Sequence, residues 1–165
     1  MSAKPTSSQL FLAEARRHLM QEYLPWIHTC LDKLCSEDLW WRPNAASNSV
    51  GNLILHLCGN ARQWIVHGVG GTADLRNRPA EFAAQESASK EELLQRLETT
   101  LAEVDAVLAG LSPDELTEPR VIQGFNVTVL GAIFHVVEHF SYHTGQIIFF
   151  TKMRSGEDLK FWNVS

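Results

Sequence analysis

The sequence predicts an all-α protein, a four-helix bundle with one long connection between its second and third helices. Three observations support this. Apolar residues recur at helical spacing through four segments. Polar capping residues open these segments, and glycine or proline closes them. No convincing run of strands and no internal repeat interrupts the pattern.

Taken in order, the first segment runs from about Ser8 to Leu34, with Leu10, Phe11, Leu19, Tyr23, Ile27, Leu31 and Leu34 near helical spacing. Pro25 lies inside it and is expected to kink or interrupt it. Leu39 to Asn48 reads as a connector, because Pro43, two asparagines and serines break the period. A second helix is expected from Asn48 or Ser49 to His67, and Gly68 to Ala88 reads as irregular, punctuated by Gly70-Gly71 and Pro79. Ser89-Lys-Glu-Glu92 has the form of a capping box and opens a helix ending at Gly110. Ser112-Pro-Asp-Glu115 starts a single turn, and Pro119 to Asn126 is a loop or short hairpin. The last helix runs from about Thr128 to Met153. Four main helices and one long connection describe the bundle.

Composition narrows the function classes. The 165 residues are 45% hydrophobic and 20% charged, ordinary for one soluble domain. A net charge of −5 and the lack of a clustered basic face argue against nucleic acid. Arg16-Arg17, the densest basic spot, reads as a solvated helix face. No apolar run approaches the roughly 20 residues that span a bilayer, so no membrane role is expected. The polar stretch Met1 to Ser8 lacks the apolar core of a signal peptide, which makes the cytoplasm the expected location. Cys30, Cys35 and Cys58 are odd in number and form no C-x-x-C pair, so they read as small buried hydrophobes in a reducing compartment.

The chemistry is concentrated in the last helix, His135-Val-Val-Glu-His139-Phe-Ser-Tyr-His143-Thr-Gly-Gln-Ile147. Histidines four apart share a helix face, and two such imidazoles can converge on one ion at roughly 2.0–2.1 Å. The pairs 135/139 and 139/143 both qualify. Val129, Ala132, Val136, His139, His143, Gln146 and Phe150 form one inward stripe that leaves His135 out of phase, which favours 139/143. A stable site needs a third ligand, and His56, flanked by apolar residues, is the leading candidate. Asn52, His56, Asn60 and Gln63 also make a polar stripe that a solvated face would explain. His18, His28 and His67 have no partner at ligand spacing and read as structural or solvent-facing. Gln146 is either a group that orients a bound ligand or a buried amide satisfied by backbone. Asn60 and Gln63 are further pocket candidates. Arg76 and Arg78 could meet a substrate carboxylate but read first as exposed loop arginines.

Other catalytic signatures fail. No serine sits in G-x-S-x-G. Gly68-Val-Gly-Gly71 lacks the strand and the Lys-Ser/Thr ending of a phosphate loop. Glu138 directly precedes His139, so the Glu-x-x-His spacing of a di-iron bundle is absent.

The ending His139-x₃-His143-Thr-Gly-Gln-Ile resembles the H-x₃-H-R-G-Q-[IL] element of DinB-like proteins, with Thr144 where many relatives have arginine. The helix carrying His56 resembles their second helix. The stretches Trp40-Trp-Arg-Pro-Asn44, Asn48-Ser-Val-Gly-Asn52, His56-Leu-Cys-Gly-Asn60, Arg62-Gln-Trp64, Gly68-Val-Gly-Gly71 and Arg76-Asn-Arg-Pro-Ala-Glu-Phe82 look like the signature of one branch of that superfamily, so the resemblance covers nearly the whole chain. It implies a DinB-like bundle, often dimeric, with one divalent transition-metal ion, nickel or zinc foremost, held by His56, His139 and His143. His135 then becomes a packing or hydrogen-bonding residue beside the centre.

Some members of the superfamily resemble thiol-dependent transferases or isomerases, which by analogy of fold suggests a small-molecule substrate and a low-molecular-weight thiol. The alternative is a non-catalytic metal-binding or stress-associated interaction module. Phe134, Ile147, Ile148, Phe149 and Phe150 make the last helix apolar on several sides, so a symmetric homodimer is expected.

Overall fold

The computed structural model describes residues 4–161, so Met1 to Ala3 of the polar N-terminal stretch lie outside the described residues. Thr6 opens the chain's first helix by accepting the Gln9 amide proton at 3.2 Å, while Gln9 Oε1 accepts that of Thr6 at 2.8 Å. The helical run that follows comprises α1 (Ser7–Arg17), a wider π-wound segment (His18–Tyr23) and α2 (Leu24–Asp32). As expected, the α winding is interrupted near Pro25, although the chain stays helical through it. The extra width lies just ahead of the proline, where the Leu24 amide bonds to Leu19, five residues back. That winding accommodates a residue with no amide proton and a ring that would press on the preceding turn.

A short helix, α3 (Ser36–Trp40), occupies the start of the expected connector. Ser49, rather than Asn48, caps α4 (Val50–Ala61), which continues as a second π-wound segment (Arg62–His67). The region from Gly68 to Ala88 is not wholly irregular. Asn77 caps a short helix, α5 (Arg78–Ala83), with Pro79 in its first turn. Ser89 and Glu92 form the expected capping box of α6 (Lys90–Gly110). A turn of 3₁₀ helix (Pro113–Thr117) leads into a hairpin of β1 (Pro119–Ile122) and β2 (Phe125–Thr128), antiparallel with Ile122 opposite Phe125. Its turn residues, Gln123 and Gly124, have φ of 52° and 81°, the left-handed pair that suits a tight two-residue hairpin. Thr128 caps α7 (Val129–Ser155), which stops at Gly156 with φ of 70°.

The fold is all-α, with little sheet. α4 lies at its centre, packed against α5, α6 and α7, and α2 packs along α7. Ile27, Leu31, Ile54, Leu57, Ile65, Leu97, Leu101 and Phe140 are fully buried where these helices meet. The burial of Leu93, Leu97, Leu101, Val104 and Leu108 gives α6 a single inward stripe. Among the described residues no helix is long and apolar enough to cross a membrane.

Candidate metal centre

α4 and α7 bring three imidazoles together beside this core. His56 and His143 are buried and His139 is half-buried. His139 Nε2 lies 3.0 Å from Nε2 of His56 and 3.0 Å from Nε2 of His143. One ring nitrogen from each falls within 4.8 Å of the others, close enough for the three to hold a metal ion. The rings of His56 and His139 both stand edge-on to His143, at 90° and 88°.

The outer nitrogens explain this orientation. His56 Nδ1 faces Glu81 Oε2 at 2.9 Å, and His143 Nδ1 faces Gln146 Oε1 at 2.7 Å. An acceptor oxygen keeps the ring proton on Nδ1, so both rings aim an Nε2 lone pair at the centre. Nδ1 of His139 is buried and has no hydrogen-bond partner among the described residues. A single proton on His139 Nε2 cannot serve both neighbours fully, whereas a cation would be met by all three lone pairs. The donor set therefore fits a divalent ion.

The electrostatics agree. Burial, together with His143, His56, His135 and Arg76, pushes His139 down to about 3. Burial also lowers His143, against an opposing bond from Gln146, and lowers His135. His139 and His143 are thus neutral near pH 7, the state a metal ligand requires.

His56 is backed from the long connection. Burial pushes the Glu81 carboxyl up, but bonds from Arg76 and His56 outweigh it and hold the group below its usual range. Arg76 Nε and Nη2 donate to the two Glu81 oxygens at 2.8 and 2.9 Å. Asn52 Nδ2 anchors α5 by donating to the carbonyls of Glu81 and Ala84, each at 2.9 Å. Arg42 Nη2 donates to Asn52 Oδ1 at 2.7 Å and to the Phe82 carbonyl at 2.9 Å. A Cβ on Gly59 would lie 2.0 Å from Glu81 Oε1, so only glycine leaves α4 room for this carboxylate.

The other sequence candidates fall around this group. His135 lies outside the three: its Nε2 contacts Asn60 Nδ2 at 3.2 Å, and its ring packs 4.0 Å from that of Trp64. Asn60 thus touches His135 rather than the triad. Gln63 accepts from Arg76 Nη1 at 2.9 Å and reaches His56 only through Arg76 and Glu81. Gln146 departs from the expected inward stripe: its residue is exposed, and its amide oxygen faces His143 rather than backbone. Arg76 is not a surface arginine, since its guanidinium is consumed by Glu81 and Gln63. Arg78 is exposed, 5.1 Å above the Phe82 ring. Asn52, His56 and Asn60 are buried, so their stripe is not a solvated face. His18 pairs with Glu22, His28 with Glu98, and His67 with the Thr72 carbonyl. Cys30 and Cys58 are buried as expected, whereas Cys35 is exposed because it caps α3 beside Asp38.

Glu81, which contacts His56, is not among the candidates that the sequence pattern singled out. The available signal was Asn77-Arg-Pro79, a helix start with an acidic residue in its first turn.

A family profile matches residues 6–165. The chain belongs to the family described as "Protein of unknown function (DUF1572)". No functionally curated protein matches it. Among solved structures it is similar to a conserved protein from Enterococcus faecalis, with TM-score 0.72 and 16% identity over 93% of this chain and 100% of the other. It is also similar to a DinB-like protein from Bacillus subtilis, with TM-score 0.66 and 17% identity over 88% and 93% of the two chains. A DinB-like protein from Bacillus cereus gives TM-score 0.66 and 17% identity over 90% and 93%. This DUF1572 chain has the DinB-like fold.

Proposed function

We propose that the chain binds one divalent transition-metal ion, nickel or zinc, through His56, His139 and His143, and acts as a metal-dependent enzyme of the thiol-dependent transferase or isomerase type on a small molecule. The observation that carries this reading is the convergence of three Nε2 atoms, two of them on rings whose outer nitrogens face acceptors. Among the described residues no fourth His, Cys, Asp or Glu joins the group. Ions that take four to six ligands would therefore keep positions for a substrate. When bound, the ion would supply Lewis acidity, lowering the pKa of a thiol or water that reaches those positions.

The chain's own residues shape what can approach. The Phe82 ring stands 4.7 Å from His56 and the Tyr142 ring 4.9 Å from His143, with Tyr142 and Gln146 open to solvent. Gln146 orients the His143 ring and keeps its proton on Nδ1. Three neutral imidazoles leave the ion's charge uncompensated, which favours an anionic ligand such as a thiolate over a neutral one. Free Cys30, Cys35 and Cys58 are in keeping with action in a reducing cytoplasm.

The placement of ligands on both α4 and α7 favours one other reading, in which the ion braces two helices of a non-catalytic metal-binding or stress-associated module. Elemental analysis of untagged protein should find about one transition-metal ion per chain, and the reconstituted protein should transfer a low-molecular-weight thiol. A metal-free protein that keeps full activity, or a fourth side chain closing the coordination sphere, would sink the enzymatic reading.

The assembly that goes with this reading is a symmetric homodimer. Leu130, Phe134, Tyr142, Phe149 and Met153 are exposed along α7, and such a strip calls for cover. Light scattering at micromolar concentration should return twice the chain mass; a monomeric mass counts against it.

A further inference from the structure

We propose that Glu81, clamped by Arg76, is a positioning residue for His56, so that the connection between α4 and α6 sets the strength of a centre to which it gives no ligand. This rests on the reading of the three histidines as a metal centre.

The geometry is unusually complete for a connecting segment. Both partners are buried, with side-chain exposures of 4% for Arg76 and 9% for Glu81. Every guanidinium nitrogen is committed: Nε and Nη2 to the two carboxylate oxygens, Nη1 to Gln63 Oε1. Gln63 in turn donates to Asp74 at 2.7 Å, and Asp74 Oδ1 accepts the Arg76 backbone amide at 3.0 Å. The carboxylate is thus fixed at both oxygens, with Oε2 turned to His56 Nδ1. Arg76 Nη2 also stands 3.1 Å from that nitrogen. A guanidinium has no acceptor, so a proton on His56 Nδ1 has Glu81 Oε2 as its acceptor in this group, the atom that also accepts from Arg76 Nη2.

Anchoring the connection does not account for this pair. Asn52 and Arg42 already hold α5 through the carbonyls of Glu81, Phe82 and Ala84. A buried ion pair is a poor device for stability alone, since apolar replacements of similar volume are often as stable. What the pair adds is an oriented anionic acceptor behind one imidazole. Such an acceptor fixes the tautomer and ring angle and strengthens the opposite nitrogen as a donor. Gly59 supports the assignment from the other side, because its missing side chain leaves the space in which Glu81 Oε1 sits.

The test is competition titration of the full chain with zinc or nickel, with melting of each metal-free variant recorded so that folded chains are compared. Glu81→Gln keeps the shape and removes the charge, and should weaken metal binding by about 10- to 100-fold, with Glu81→Asp restoring part of the loss. Gly59→Ala alters no charged group but drives a Cβ into the carboxylate, and should weaken binding in the same direction even if Glu81→Gln folds poorly. Both variants should also shift the visible absorption of the cobalt-loaded protein, which a distant brace would not do. If both bind metal within about twofold of wild type, Glu81 is only a structural tie and the proposal is overturned while the metal centre stands. If wild type binds no metal, the centre and this proposal fall together.

Discussion

The two walls of the candidate metal centre are built on different principles. α7 supplies two histidines whose mutual placement follows from the helix repeat, and its backing is slight: a neutral, exposed Gln146 behind His143 and, among the described residues, no hydrogen-bond partner for His139 Nδ1. α4 supplies one histidine with no ligand partner on its own helix, and its backing is a buried ion pair from residues 20 and 25 positions away in sequence. A chelating pair at i and i+4 is oriented by the backbone that carries it. A lone ligand must be oriented by tertiary contacts, and here those contacts are charged.

Removing a ligand from either wall should have the largest effect. His56→Ala, His139→Ala and His143→Ala should each reduce bound metal from about one ion per chain to near zero, measured by elemental analysis after desalting. The affinity loss should exceed about 100-fold, because even outer partners contribute about 10- to 100-fold. His135→Ala should retain the ion, since its Nε2 faces Asn60. Loss of metal with His135→Ala but not with His143→Ala would reverse the assignment of the α7 wall. Circular dichroism of His143→Ala should remain helical, because the core around α4 and α7 is apolar.

Metal itself should stabilise the protein without being needed to fold it. At free metal 100 times the dissociation constant, binding adds about 2.7 kcal/mol. For a chain of this size each kcal/mol raises Tm by about 2–4 °C, so calorimetry should show an increase of about 5–10 °C over the chelated protein. A chelated protein that loses its helices would mean that the ion organises both walls, as in a zinc finger, and would erase the contrast between them.

The same contrast explains what was legible in the sequence. The α7 pair could be read because three-and-four spacing maps directly onto one helix face. Helix starts at Ser49, Ser89 and Thr128 were readable because capping is local. The backing of α4 was not, because Arg42, Asn52, Gly59, Gln63, Arg76 and Glu81 meet only in the folded chain. Each of those residues lies in one of the stretches that resembled a DinB-like branch, so the resemblance pointed to this side of the centre without giving the contact that joins them. Pro25 carried a reliable local signal, since the α winding is interrupted just ahead of it, whereas Arg76 misled because an arginine in a loop has a strong local expectation that a buried carboxylate overrides.

Gln146→Ala sharpens the comparison at smaller scale. It removes a neutral, solvent-facing acceptor from a histidine whose position α7 already fixes. Metal affinity should fall by about 10-fold or less, the low end for outer partners, and by less than in Glu81→Gln. A loss from Gln146→Ala equal to or greater than that from Glu81→Gln, measured by the same competition titration, would show that charge and burial do not distinguish the two walls.

The smallest effect is expected where α7 is tied down far from the centre. Asp38 of α3 accepts from Arg154 Nε at 2.6 Å near the end of α7 and also from the Cys35 amide at 3.4 Å. Burial raises the Asp38 carboxyl, but the bonds from Cys35 and Arg154 win and hold it below its ordinary value. A depressed folded-state pKa means that the stabilisation is present above the unfolded value of about 3.9 and is lost as pH falls through the lower folded value. Arg154 faces water, so screening should limit the contribution to about 1 kcal/mol or less. Asp38→Ala should therefore lower stability slightly at pH 7, and the difference from wild type should shrink as urea unfolding is repeated from pH 5 down to pH 3. Metal affinity at neutral pH should not change, because α7 orients its own histidine pair. A variant that lost metal as well would show that the α7 wall depends on tertiary ties as the α4 wall does.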